Sequence, residues 1–197
     1  MTALSLANAS YHTQSHYDKE TVRTARAARH TPPESATLDT SLFATLAVRD
    51  VSVAMNGIHA DVFALYLKTK NFHWHVRGSN IYQDHVTLNE QAHRLHAMTD
   101  AVAEHVRKLG GTMKCSLGHL VRTQRIPDND ADYVTPSDMQ AELCEDNKTV
   151  IARMREVQVV CQERNDIATT NMIEAWIDET GSRIQLLSES GRAGSLH

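Results

Sequence analysis

Six side chains that can bind metal ions recur at helical spacing between residues 85 and 104. They are His85, Asn89, His93, His96, Asp100 and Glu104, separated by 4, 4, 3, 4 and 4 residues. At roughly 100° per residue, these spacings place all six on one stripe of a helix. Imidazole, carboxamide and carboxylate groups bind iron, zinc or manganese. The stripe therefore predicts a metal site, and the alternative is a polar face that only contacts solvent.

The composition of the stripe favours the metal site. It contains no Lys, Arg or Gln, which a face exposed only for solubility usually includes. The same segment holds Glu90 and His93, a Glu-x-x-His pair that places a carboxylate and an imidazole on adjacent turns. Di-metal sites in helical bundles use two such pairs, and the sequence contains no second one. The pair by itself is therefore weak support.

The elements that must position this stripe are long helices. The chain has only four prolines, Pro32, Pro33, Pro127 and Pro136, so two long blocks have no helix breaker. Apolar periodicity and end signals predict four long helices and one short one. Their predicted ranges are 41–73, 81–109, 117–121 (the short one), 136–162 and 167–190. The connection between the first two long helices is short, as is that between the last two, and a long connection joins the second to the third. This pattern predicts an all-α four-helix bundle of ferritin-like connectivity, in which the long crossover carries the short helix.

The two ends of the chain lie outside this pattern. We predict a flexible N-terminal tail over residues 1–38, the bundle over 39–190 and a C-terminal tail over 191–197. The N-terminal segment contains four basic residues, Lys19, Arg23, Arg26 and Arg29, against Asp18 and Glu20. A DNA partner held by this tail is therefore one hypothesis.

Overall composition excludes other classes of protein. Of the 197 residues, 41% are hydrophobic and 22% are charged, and the net charge of −4 gives no general attraction to nucleic acid. The three cysteines form no Cys-x-x-Cys pair, which argues against a disulfide framework or a thiolate zinc site. No stretch of about 18 apolar residues and no secretory signal occurs, so we expect a cytoplasmic protein with no membrane partner.

The segment before the stripe makes the pattern specific. It reads Asn71-Phe72-His73-Trp74-His75-Val76-Arg77-Gly78; His85 follows His73 by twelve residues, and Asp100 and Glu104 precede a Leu-Gly-Gly stop. This arrangement resembles the Dps family of mini-ferritins, the DNA-binding proteins from starved cells. The resemblance is close from the first long helix to the end of the second, and looser around 166–172.

The resemblance implies a fold, an assembly and an activity. It implies a homododecamer of four-helix subunits around a hollow, with dinuclear iron sites at two-fold interfaces. These sites would oxidise Fe(II), preferentially with hydrogen peroxide, and the cage would store a ferric mineral and protect against oxidative damage. His73 and His85 match the ligand histidines of one subunit, while Asp100 and Glu104 match the carboxylates of its neighbour.

One position departs from the family pattern. The family commonly has Asp at position 89, and Asn89 offers only a neutral, weaker oxygen donor for the second metal. His93 or His96 could supply a replacement imidazole, or both could instead line the subunit seam or the cavity wall. Zinc is expected as a competing ion at such a site.

Two functions from different classes follow. The first is a peroxide-consuming ferroxidase and iron-storage cage, favoured by the four matched ligands. The second is a nucleoid architectural protein that presents basic tails to DNA and has a slow metal site, favoured by Asn89. A larger ferritin is disfavoured because the ligands cluster on two helices instead of four.

Overall fold

The computed structural model describes residues 40–194, apart from the side chains of residues 40, 41, 43 and 191–194. It contains five helices and, within this range, no strand. In chain order they are α1 (Thr40–His75), α2 (Ile81–Lys108), α3 (Leu117–Thr123), α4 (Pro136–Glu163) and α5 (Ile167–Gly194). The predicted all-α bundle with a short helix in its crossover is confirmed. The predicted N-terminal tail lies outside the described residues, and α5 continues four residues beyond its predicted end at Ser190.

Local signals in the sequence fix the helix ends. Thr135 caps α4, because its hydroxyl accepts a hydrogen bond from the backbone N–H of Asp138 at 3.1 Å, and Pro136 occupies the first turn. After α2, Gly110 adopts a left-handed φ of 81°, and Gly111 N–H donates to the carbonyl of Val106 at 2.9 Å. This is the Schellman ending, in which a glycine satisfies the last free carbonyls of a helix.

The helices pack as two antiparallel pairs, α1 with α2 and α4 with α5, and α1 also packs against α4. The core is formed by apolar side chains from all four long helices. Fully or almost fully buried members include Met55, Ile58, Leu65, Phe72, Leu95, Val102, Met154, Val157, Ile173 and Leu187. These side chains recur at helical spacing, so the buried face of each helix follows from its sequence period.

A buried carboxylate ties the crossover to the bundle. Asp61 is fully buried on α1, accepts from Arg153 Nε at 2.8 Å and accepts from the backbone N–H of Arg125 at 2.6 Å. A buried charge is tolerated when it is paired and hydrogen-bonded in this way. Asp61 therefore fixes the end of the short-helix segment against α1 and α4.

No helix in residues 40–194 combines the length and apolar character needed to cross a membrane.

Candidate metal centre

Two imidazoles meet where α1 ends and α2 begins. The connection between these helices is five residues long, so His73 near the end of α1 lies opposite His85 near the start of α2. Their ring centroids are 3.7 Å apart at an angle of 42°. His73 is only 9% exposed, and its Nδ1 atom is buried without a hydrogen-bond partner. An unpartnered imidazole nitrogen of this kind has a lone pair available for a metal ion.

The surroundings keep His73 in its metal-binding form. Burial lowers the pKa of His73 below its ordinary value of 6.5, and nearby His85, Lys70 and His93 lower it further. Both effects disfavour the protonated ring, so the neutral ring persists at neutral pH. The ring contact joins only His73 and His85. We call these two residues the imidazole cluster.

Asn89 is engaged by a lysine. Lys70 Nζ donates a hydrogen bond to Asn89 Oδ1 at 3.2 Å, and it lies 5.9 Å from the centroid of the Trp74 ring. The amide oxygen at position 89 is therefore occupied, and a positive charge stands beside it. Both features weaken Asn89 as a metal ligand.

The two matched carboxylates lie far from the imidazole cluster in the same chain. Asp100 and Glu104 are one helical turn apart, and their side chains are 73% and 71% exposed. Asp100 follows His85 by fifteen residues, which is about 22 Å along a helix axis. Among the described residues, no group of three or more His, Cys, Asp and Glu side chains is arranged to hold a metal ion. Within one chain, the imidazole cluster and the two carboxylates are therefore separate.

His96 belongs with the carboxylates and not with the imidazole cluster. Its Nδ1 atom lies 4.0 Å from Asp100 Oδ2, and its ring centroid is 5.3 Å from that of Tyr66 on α1. The periodicity of α2 gave His93 and His96 equal status as replacement ligands, and the packing places His96 beside Asp100 and Tyr66. Tyr66 is a neighbour of the stripe that sequence reasoning missed, because no spacing pattern links residues 66 and 96.

Glu90 of the Glu-x-x-His pair forms an ion pair on the exposed surface of α2. Glu90 Oε1 accepts from Arg94 Nη2 at 2.7 Å, one turn along the exposed face of α2. This i, i+4 ion pair engages the carboxylate with a cation.

A second histidine contact anchors α2 to the start of α5. Thr169 is fully buried and donates its hydroxyl proton to Asp166 Oδ2 at 2.5 Å, so His105 Nε2, 2.8 Å away, acts as the donor to Thr169. Burial lowers the pKa of His105, although Asp166 opposes that shift. This link positions the end of α2 that carries Glu104.

Comparison with known proteins defines the class to which this fold and site belong. A match to the ferritin-like domain family covers residues 53–190, so the chain belongs to that family. Within it, the resemblance to Dps proteins is confirmed. The chain is 23% identical over 130 residues to the DNA protection during starvation protein of Helicobacter pylori, covering 66% of this chain and 90% of that one. It is 26% identical over 134 residues to antigen TpF1 of Treponema pallidum, covering 68% of this chain and 76% of the relative.

Solved Dps structures share the fold. The crystal structure of a Dps protein from Bacillus brevis superimposes with a TM-score of 0.69 at 24% identity, over 77% of this chain and 98% of that one. DpsC from Streptomyces coelicolor gives a TM-score of 0.70 at 21% identity, over 81% and 91% of the two chains.

Proposed function

We propose that this protein is a Dps-like ferroxidase that oxidises Fe(II) with hydrogen peroxide at sites shared between subunits and stores the ferric product in a hollow homododecamer. The observation that carries the proposal is the division of the candidate centre. Among the described residues, the imidazole cluster forms no metal-binding group with a carboxylate, and Asp100 and Glu104 form none with a pair of imidazoles. Each part supplies what the other lacks.

A two-fold contact would join the two parts. If α2 of one subunit lies antiparallel to α2 of a second, with the axis passing near residues 93–95, His85 of each faces Asp100 and Glu104 of the other. An isologous contact of this kind creates two identical sites at once. Large apolar side chains are exposed near the start of the stripe, as such an interface requires: Trp74 at 66%, Tyr82 at 81% and Val86 at 44%.

The donor set suits the proposed reaction. Imidazoles favour the ferrous substrate and carboxylates favour the ferric product. Two Fe(II) ions held together supply the two electrons that reduce one hydrogen peroxide to two water molecules, with the uptake of two protons and without releasing a hydroxyl radical. His73, held neutral by burial, binds the metal ion without first losing a proton. The same donors would accept zinc as a competing ion.

The ligands of the proposed second metal position differ from the family pattern. His93 remains the replacement ligand in preference to Asn89, because the amide oxygen of Asn89 already accepts a hydrogen bond from Lys70. His96, beside Asp100, would join the carboxylate part of the same site in the second subunit.

Subunit mixing tests the shared site. A His73→Ala/His85→Ala variant and an Asp100→Ala/Glu104→Ala variant should each lose peroxide-dependent Fe(II) oxidation. Refolded or co-expressed at equal amounts, they should regain about one quarter of the wild-type rate, since about one quarter of the sites then combine an intact part from each chain. Restored activity in the mixture cannot arise from sites built within one chain. A mixture as inactive as its components would contradict the shared site.

A second function has one structural observation in its favour. The contact between Lys70 and Asn89 weakens the second metal position, as expected for an architectural protein whose oxidation site is slow. In that case the cage would mainly present its N-terminal segments to DNA in the nucleoid. For either function we propose a cytoplasmic location.

A further inference from the structure

A cationic cavity lies at the opposite end of α1 from the imidazole cluster. It has a volume of about 400 Å³ and is open to solvent along one side. Arg49 on α1, Lys114 on the loop after α2 and His119 on α3 all line it. Arg49 precedes His73 by 24 residues, which is about 36 Å along a helix. The cavity is therefore separate from the imidazole part of the candidate metal centre.

The lining of the cavity contains basic side chains. In the described part of the chain, no acidic side chain lines this cavity. Three other cavities of 270–310 Å³ each include at least one aspartate, namely Asp128 and Asp130, Asp130 and Asp132, or Asp84. Neither Arg49 nor Lys114 forms an ion pair with a described residue, whereas Arg153, Arg164 and Arg183 do. Two cations that line one cavity and form no ion pair with a described residue attract an anion.

The wall of the cavity is preorganised. Asn56 on α1 is 5% exposed; it donates to the carbonyl of Thr112 at 3.1 Å and accepts from the backbone N–H of Lys114 at 2.7 Å. These bonds hold the loop that carries Lys114 against α1. The fixed backbone removes much of the ordering cost of bringing Lys114 to a ligand.

Close packing also holds the cavity wall. Ser52 lines the cavity, and its Oγ atom is buried against Gly111, where an added Cβ atom would stand 1.9 Å from that oxygen. This contact keeps the loop after α2 close to α1.

We propose that this cavity binds a phosphate group, as inorganic phosphate or on a small phosphorylated molecule. Arg49 provides a planar fork for two phosphate oxygens and Lys114 a point charge, and the His119 ring adds a further hydrogen-bonding group. The volume lies within the range of small-molecule sites and exceeds the size of one phosphate, so a phosphorylated small molecule also fits.

Equilibrium dialysis of the metal-free, full-length protein with labelled inorganic phosphate tests the proposal. We expect saturable binding of about one phosphate per chain, and binding at least about tenfold weaker in an Arg49→Gln/Lys114→Gln variant. The matched control is Arg122→Gln/Arg155→Gln, which removes the same charge from exposed positions outside the cavity and should bind like the wild type.

Two results would overturn the proposal. The first is a wild-type protein that does not bind phosphate; an altered sizing profile of the Arg49→Gln/Lys114→Gln variant would then assign both cations to a subunit interface. The second is an equal loss in the control, which would assign the binding to diffuse surface charge. A small phosphorylated molecule that competes with phosphate only in the wild type and the control would identify the larger ligand class.

Discussion

Lys70 places a positive charge beside the proposed second metal position. Its ammonium group bonds to Asn89 and stands near the imidazole cluster, where it repels any metal cation. A Lys70→Gln substitution keeps a hydrogen-bond donor and removes the charge. We expect Fe(II) to bind about three- to tenfold more tightly in this variant. Anaerobic calorimetric titration of the assembled protein measures the change.

The control for the Lys70→Gln variant removes a cation that lies far from the candidate metal centre. Arg155→Gln makes the same charge change on the exposed face of α4, where no ion pair with a described residue is lost, and it should leave Fe(II) affinity unchanged. Equal tightening in both variants would attribute the effect to overall charge. The combined Lys70→Gln/Asn89→Asp variant should bind still more tightly, because it also restores a carboxylate.

His59 makes the stability of the bundle depend on pH. It is 5% exposed with its Nδ1 atom unpartnered, and burial lowers its pKa below 6.5, an effect that Asp100 opposes and His119 reinforces. The unfolded chain therefore takes up a proton more readily than the folded one as the pH falls through about 6.5, and stability is lost. His73 and His105 act in the same direction.

Thermal unfolding measures this effect. The melting temperature should fall by several degrees between about pH 7 and pH 5.5, and a His59→Phe variant, which keeps a ring against Phe63, should lose less. Burial raises the pKa values of Asp84 and Asp146, which opposes the trend only at lower pH. An unchanged decline in His59→Phe would show that His59 is not one of the groups responsible.

Gly111 allows the loop after α2 to pack closely against α1. An alanine Cβ at this position would stand 1.9 Å from Ser52 Oγ and 2.8 Å from Ser52 Cβ, so α1 and the end of α2 must separate. We expect Gly111→Ala to lower the free energy of unfolding by about 2–3 kcal/mol, as overpacking in a core does. Urea unfolding provides the measurement.

Two further variants isolate the cause. Gly181→Ala on α5 meets no atom within 4 Å and should be neutral or stabilising by about 0.5–1 kcal/mol. Adding Ser52→Gly to Gly111→Ala removes the clash and should recover part of the lost stability. A Gly111→Ala protein as stable as the wild type would contradict the close approach.

At the scale of the whole molecule, the N-terminal segment distinguishes the two candidate functions. If it binds DNA, twelve copies on one cage convert weak contacts into avidity. Gel shifts should then show binding that weakens with salt and strengthens below about pH 6.5, where His12, His16 and His30 gain charge. A variant lacking residues 1–36 should lose this binding. Equal binding by both proteins would exclude the segment, and no binding by either would leave the iron-oxidising cage alone.

The sequence by itself determined the elements and the donor types. Apolar period, proline at 136 and the glycines after Leu109 predicted every described helix to within four residues at each end, because these signals act between residues that are close in the chain. The stripe from His85 to Glu104 is likewise a property of one helix. The side chains available for a metal site were therefore readable from local spacing.

Only the tertiary structure decided which of these side chains are neighbours. The bond between Lys70 and Asn89 spans 19 residues, that between Asn56 and the backbone of Lys114 spans 58, and that between Asp61 and Arg153 spans 92. The contact of His96 with Tyr66 likewise depends on how α1 lies against α2. Helical period fixes the face on which a residue lies, but the partner across that face depends on the rotation and register of the packed helices, which are set by the whole core.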